Sequence, residues 1–134
     1  MNAVAVQSAV EIVQDLYAAF GRGDVPYIAA HLAERVDWSF VGARGLPYTG
    51  RFVGPQEATR FFAAVASVDD IKVFEPREFI AQGDHVTVLG WEQTKAIPSG
   101  RVWESQWVHL FTVRDGKVTR FWGMCDSEAS AAAR

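Results

Sequence analysis

The chain opens on a helical rhythm and closes on an extended one. From Val6 the apolar positions fall at Val6, Ala9, Val10, Val13, Leu16, Tyr17 and Phe20, the three-and-four spacing of a helix with one buried stripe. Gly21 and Gly23 end it, because glycine enters the left-handed region after a last turn at little cost. Asp24 is placed to cap a short second helix with Pro26 in its first turn, and Ile28 and Leu32 form its buried side. Val36, Trp38 and Phe40 then alternate with Asp37 and Ser39, the period of a half-buried strand. Residues 42 to 50, with Gly45 and Pro47, read as a turn or loop. Gly54-Pro55 opens a third helix that places Ala58, Phe61, Phe62 and Val65 on one face.

After Asp69-Asp70 four long extended runs follow: 71 to 81, 86 to 97, 101 to 113 and 117 to 126. Gln82-Gly83-Asp84, Pro98-Ser99-Gly100 and Asp115-Gly116 separate them as hairpin turns, so the runs are expected to pair antiparallel. Helices first and a meander afterwards predict an α+β class, with helices on one face of a curved sheet. The Ala-rich tail from Ser127 fits either a helical turn or a disordered end. Neither a repeat nor a linker interrupts this order, and 134 residues suit one domain spanning 1 to 134.

Composition changes one thing. Five Trp, three Tyr and nine Phe exceed what filling a small core requires, which points to a lined cavity or a buried interface. Charge removes options instead: a formal net charge of −3 provides no basic field for nucleic acid. No stretch is long and apolar enough to suggest a membrane span, and Met1-Asn2-Ala3-Val4 lacks the basic region of a secretory signal, so a cytoplasmic location is expected. Cys125 is the only cysteine, and His31, His85 and His109 have no ligand spacing, so no metal or other cofactor is implied.

Several strings, in order, resemble the SnoaL-like branch of the nuclear transport factor 2-like superfamily, which includes polyketide cyclases, ketosteroid isomerases and limonene epoxide hydrolases. They are Val13-Gln14-Asp15-Leu16-Tyr17-Ala18-Ala19-Phe20 leading to Gly23-Asp24, then Tyr48-Thr49-Gly50 with Phe52-Val53-Gly54-Pro55. Ala81-Gln82-Gly83-Asp84-His85-Val86 and Asp115-Gly116-Lys117-Val118, ahead of a strand ending in Asp126-Ser127, complete the set, which covers about residues 6 to 127. The resemblance implies a cone of curved sheet closed by about three helices from the N-terminal half, an apolar pocket inside, and a dimer through the outer face. It does not fix the reaction, because this scaffold carries many.

A two-residue Pro98-Ser99 turn pairs Glu92 with Ser105, Gly90 with Trp107 and Val88 with His109, all on one face. In the resemblance that face is the concave one. His109 corresponds to the position that in ketosteroid isomerases carries a protonated carboxylic acid, the standard example of a neutral acid donating to an oxyanion. A histidine there can donate a hydrogen bond or shuttle a proton, or it can be a core residue satisfied by a carbonyl or a tyrosine hydroxyl. Asp126 matches the terminal aspartate at which polyketide cyclases place an acid/base, and with His109 it would form a proton-transferring pair. Alternatively, Asp126 caps the segment after it. Glu92 facing an apolar pocket would have a raised pKa and act as acid or base; otherwise it is a rim residue paired with Lys95 or Arg101.

The last strand has two registers. A two-residue Asp115-Gly116 turn brings Arg120, Trp122, Met124 and Asp126 beside His109, whereas a three-residue loop with a bulge brings Phe121, Gly123 and Cys125 there. Burying Arg120 unpaired would be costly, which favours the second. Trp38, Phe40, Tyr48, Trp103 and Trp107 are expected to wall the pocket, with Tyr17 and Tyr48 offering hydroxyls to a small hydrophobic ligand. Leu89, Trp91, Val108 and Leu110 take the opposite face, where a second copy would cover them as a homodimer.

Two departures from the isomerase pattern matter. Ser39 and Phe40 stand where the isomerases carry their general base, and Leu16 aligns with their oxyanion tyrosine, leaving Tyr17 one step off. The epoxide hydrolase Asp-Arg-Asp set is absent, with Gly123 in place of one aspartate. Two readings follow: a cofactor-independent acid/base enzyme of cyclase or isomerase type acting on a hydrophobic carbonyl compound, or a non-catalytic binding module of the same fold.

Overall fold

The computed structural model describes residues 7–134; Val6, where the helical pattern begins, lies outside them. Helix α1 (Ala9–Gly21) begins with a reciprocal cap: the Ser8 hydroxyl accepts from the Glu11 N–H while the Glu11 carboxylate accepts from the Ser8 N–H. It buries Ile12, Val13, Leu16 and Ala19, the apolar stripe of the sequence. Asp24 caps α2 (Val25–Ala30) by accepting from the Tyr27 N–H, with Pro26 where its missing N–H costs nothing. Helix α3 (Gly54–Val68) is entered through Gly54 at φ 85°, where an added Cβ would stand 3.2 Å from the Glu34 carbonyl oxygen. Only glycine suits that corner.

Six strands form one sheet: β1 (Leu32–Val41), β2 (Gly50–Val53), β3 (Asp69–Gln82), β4 (His85–Ala96), β5 (Val102–Arg114) and β6 (Lys117–Cys125), in the order β2-β1-β6-β5-β4-β3. Strand β1 runs parallel to β6; every other pairing is antiparallel. The short β2, within the segment that leads from the predicted loop to the third helix, is a strand that periodicity alone did not reveal. Helix α1 packs on β3, β4 and β5, and α3 packs against β1, β2 and β3, so the helices close one side of the curved sheet. A fourth helix, α4 (Ser127–Ala132), adds to the three expected and packs on β5.

The β4–β5 register matches the expected one: Glu92 faces Ser105, Gly90 faces Trp107 and Val88 faces His109. The β5–β6 hairpin combines features of both alternatives. Its turn has two residues, Asp115 (φ 51°) and Gly116 (φ 76°), between the paired Arg114 and Lys117. A bulge then follows, because Val113 pairs with Val118 but Thr112 pairs with Arg120. The extra residue, Thr119, reverses the parity of the strand beyond it. Phe121, Gly123 and Cys125 consequently stand beside Phe111, His109 and Trp107, while Trp122 lies on the outer face opposite Leu110. Arg120 is thereby spared burial, and Trp122 joins Trp91 on the outside.

Candidate active site

The inner face of the sheet, α1 and α3 enclose a small cavity of about 90 Å³ whose surface is predominantly apolar. Each of Trp38, Phe40, Tyr17, Tyr48, Trp103 and Trp107 lines it, as do His109 and Glu92. The β4–β5 pairing is free of bulges, so Glu92, Trp103, Trp107 and His109 share the cavity side of the sheet. Phe61, Phe62, Phe74, Phe121, Cys125 and Asp69 complete much of the wall. Phe74 was hidden from simple alternation by shifts in the β3–β4 pairing between Ile71 and Val73 and between Pro76 and Glu78.

At one end, His109 is 9% exposed and its Nδ1 lies 2.7 Å from the Tyr17 hydroxyl oxygen. The imidazole stacks on Trp107 at 4.1 Å between centroids, and Trp107 stacks on Phe74 at 4.7 Å. Burial pushes the His109 pKa down to about 3 and raises that of Tyr17 well above the ordinary phenol value. Both groups are therefore neutral at physiological pH. With Tyr17 donating, the ring proton resides on Nε2, which becomes a donor; with Nδ1 donating, Nε2 becomes an acceptor. This pair can stabilise a developing oxyanion or relay a proton without ever carrying a buried charge. Of the two readings made for His109, the structure shows the tyrosine hydroxyl that satisfies it, on a ring that lines the cavity.

At the other end stands Glu92, 8% exposed. Burial, together with the negative charge of Asp69, raises its pKa from 4.5 to about 7. No protein group hydrogen-bonds its carboxyl among the described residues, so neither Lys95 nor Arg101 holds it as a rim pair. Four residues of strand separate the level of Glu92 from that of Val88 and His109. At about 3.3 Å per residue the two functional ends are roughly 13 Å apart along the strand, with Trp107 between them.

Asp126 does not meet His109, which corrects the expected His/Asp pair. Its N–H donates to the Ser105 hydroxyl at 2.7 Å, fixing the end of β6, and its exposed carboxylate accepts from the Ala129 N–H at 3.1 Å as the N-cap of α4. Capping, one of the two roles weighed for it, is the role it plays. Cys125 occupies the inward position instead, and burial pushes its thiol up to about 12, so it is not a ready nucleophile.

Asp69, on the cavity wall near Glu92, belongs to a network that no local pattern in the chain marks. Arg134 Nη1 and Nη2 fork onto the Asp69 carboxylate at 2.5 and 3.3 Å. Nη2 also donates to the Tyr48 hydroxyl at 3.0 Å and to the Ser130 hydroxyl at 2.7 Å, while Nη1 reaches the Val68 carbonyl at 3.2 Å. Asp69 looked like a boundary residue and Arg134 like the end of a tail. Only the packing of α4 brings them together.

A curved sheet wrapped round an aromatic cavity, with a neutral Tyr–His pair at one end and a buried carboxyl at the other, defines a ligand-binding fold of the cyclase/isomerase type. A family model of the SnoaL-like domain matches residues 13–121, and the chain belongs to that family. An NTF2-like protein from Burkholderia xenovorans LB400 is similar to it at 34% identity, with 98% of each chain covered and a TM-score of 0.85. An NTF2-like protein of unknown function from Burkholderia pseudomallei K96243 shares 26% identity over 96% of this chain and 98% of that one, with a TM-score of 0.87. TerC, co-crystallised with polyporic acid, shares 30% identity over 93% of this chain and 96% of that one, with a TM-score of 0.84. No curated protein matches the sequence. Among the described residues, no helix is long and apolar enough to cross a membrane.

Proposed function

We propose that the protein is a cofactor-independent acid/base enzyme acting on a small, flat, mostly apolar carbonyl compound. The observation that carries this reading is the pairing of Glu92, a cavity carboxyl poised near neutral pH with no protein partner, with the neutral Tyr17–His109 pair. A carboxyl whose pKa lies near the working pH can both take a proton from carbon and give it back. Glu92 takes and returns the proton; His109, held by Tyr17 at the other end of the cavity, hydrogen-bonds a remote oxygen of the ligand and so positions it; Trp38, Trp103 and Trp107 exclude water and orient the ring system. Glu92 so replaces the base that Ser39 and Phe40 cannot supply. A relative of similar fold, TerC, was co-crystallised with a small organic molecule, polyporic acid, which supports a small-molecule ligand here.

The direct test is hydrogen–deuterium exchange at carbon in a small enolisable ketone such as cyclopentanone, followed by proton NMR in D₂O. Exchange faster than in buffer, and lost on blocking the cavity, is expected. Saturable binding with exchange no faster than buffer would leave the non-catalytic binding module as the correct reading.

The protein is further proposed to work as a homodimer through the outer sheet face. Leu89 opposite Val108, Val108 opposite Met124 and Leu110 opposite Trp122 form a continuous apolar band across β4, β5 and β6. Such a band is unfavourable in water, and a second copy related by a two-fold axis would cover it with the same band. Sedimentation should give a dimer for the native protein and a folded monomer for Leu110→Glu; a native monomer at micromolar concentration would refute the assembly.

A further inference from the structure

Two buried carboxyls line this cavity, Glu92 and Asp69, at 8% and 7% exposure. One guanidinium serves them. Arg134 commits both of its terminal nitrogens to Asp69, and the fork is braced by the hydroxyls of Tyr48 and Ser130. Two carboxylates cannot both be charged cheaply in a closed apolar space containing one cation, so the unpaired one keeps its proton. The pairing geometry therefore selects the proton carrier.

We propose that Arg134 is a positioning residue of the active site: by clamping Asp69 it offsets part of that carboxylate's charge and leaves Glu92 as the cavity's exchangeable acid. The inference rests on the assignment of Glu92 as the acid/base. It also gives α4 a role, because the helix carries Arg134 from the end of β6 back to the junction of α3 and β3. Two further anchors hold this segment: the Ser99 hydroxyl donates to the Ala133 carbonyl, and Arg101 Nη1 donates to the Ala132 carbonyl at 3.3 Å.

Few other titratable groups face the cavity. Strand β3 brings Asp69, the segment after α4 brings Arg134, the β1–β2 loop brings Tyr48, β6 brings Cys125, β5 brings His109 and α1 brings Tyr17. Helix α3 brings only apolar side chains to the cavity. Burial keeps Tyr48, Cys125, His109 and Tyr17 neutral near pH 7. Asp69 and Arg134 are thus the charges whose balance Glu92 feels.

The two halves of the ion pair should act with opposite signs. Removing Asp69's charge with Asp69→Asn takes away a negative neighbour and leaves Arg134 unopposed, lowering the Glu92 pKa. Arg134→Gln exposes Glu92 to an unneutralised Asp69 and raises it. Shifts of about one pH unit each way are expected, the lower range for a single nearby charge. Arg134→Lys keeps the charge without the fork and should fall between the native value and that of Arg134→Gln.

The measurement is a carbon-13 NMR titration of the Glu92 carboxyl in each full-length variant, with Glu92→Gln identifying the signal. It needs no substrate, so opposed shifts without any turnover would uphold the electrostatic role and refute only the catalytic reading. Shifts in the same direction, or Glu92 titration unchanged in Asp69→Asn and Arg134→Gln while both remain folded by circular dichroism, would overturn the proposal. A variant that does not fold is replaced by Arg134→Lys, and an unshifted Glu92 there counts against the role of the fork.

Discussion

Glu92→Gln is expected to abolish the proposed turnover and, at alkaline pH, to stabilise the fold. The two effects share one cause. Glutamine has nearly the shape of glutamic acid but can neither accept nor release a proton, so the contribution of general acid/base catalysis, about 10² to 10⁴-fold, should vanish from the exchange rate. Stability follows from linkage. The carboxyl pKa is raised in the folded state from 4.5 to about 7, so between those values the native protein holds a proton that the unfolded chain has lost. Stability then falls as pH rises through this window, by at most about 3 kcal/mol for a shift of this size. Below pH 4.5 both states are protonated and Glu92 costs nothing through its charge.

The amide escapes that cost. Glu92→Gln should therefore melt close to the native protein at pH 4.5 and several degrees above it at pH 8. Equal melting temperatures at pH 8 would mean that the carboxyl is not forced to ionise in an apolar site. An unchanged exchange rate would remove Glu92 from the chemistry. The combination of lost activity and gained stability is what a functional group retained against packing should show.

How much of this site could be read from the chain depends on what each residue's placement requires. The β4–β5 hairpin is regular, so counting from Pro98-Ser99 placed Glu92, Trp107 and His109 correctly on one face. Local chemistry also marked Asp24 and Asp126 as caps, because a cap is decided within four residues. Bulges were invisible. Thr119 has no composition that marks it as the extra residue, yet it decides that Phe121 rather than Trp122 faces inward. The Asp69–Arg134 pair was least legible, since its partners are 65 residues apart and meet only after α4 has docked. Period and turn chemistry are local properties, whereas a charge pair at the wall of a cavity is a property of the closed fold.

The largest structural effect is expected from a methyl group. Gly90 lies on the concave face of β4 beneath Trp107, and a Cβ built there would stand 2.1, 2.4 and 2.5 Å from three atoms of the indole ring. A rigid ring cannot bend away as the end of a flexible side chain can. Trp107 is also fixed on its other contacts, stacked on His109 and on Phe74 and 2% exposed. Gly90→Ala must therefore expel the indole or move a strand in the middle of the sheet. Overpacking alone costs about 1–3 kcal/mol, and losing the burial of a large aromatic side chain costs about 3–5 kcal/mol, so roughly 3 kcal/mol is expected. For a domain of this size that corresponds to a fall in melting temperature of about 10 °C. The double variant Gly90→Ala with Trp107→Leu tests the cause, because removing the ring removes the clash. Its stability should lie well above the sum of the two single losses, a coupling that only residues in contact display. Additive losses, or a Gly90→Ala protein that melts within 2 °C of the native one, would show that the indole does not occupy the space over Gly90. The wall between the two functional ends of the cavity would then have to be built by other residues.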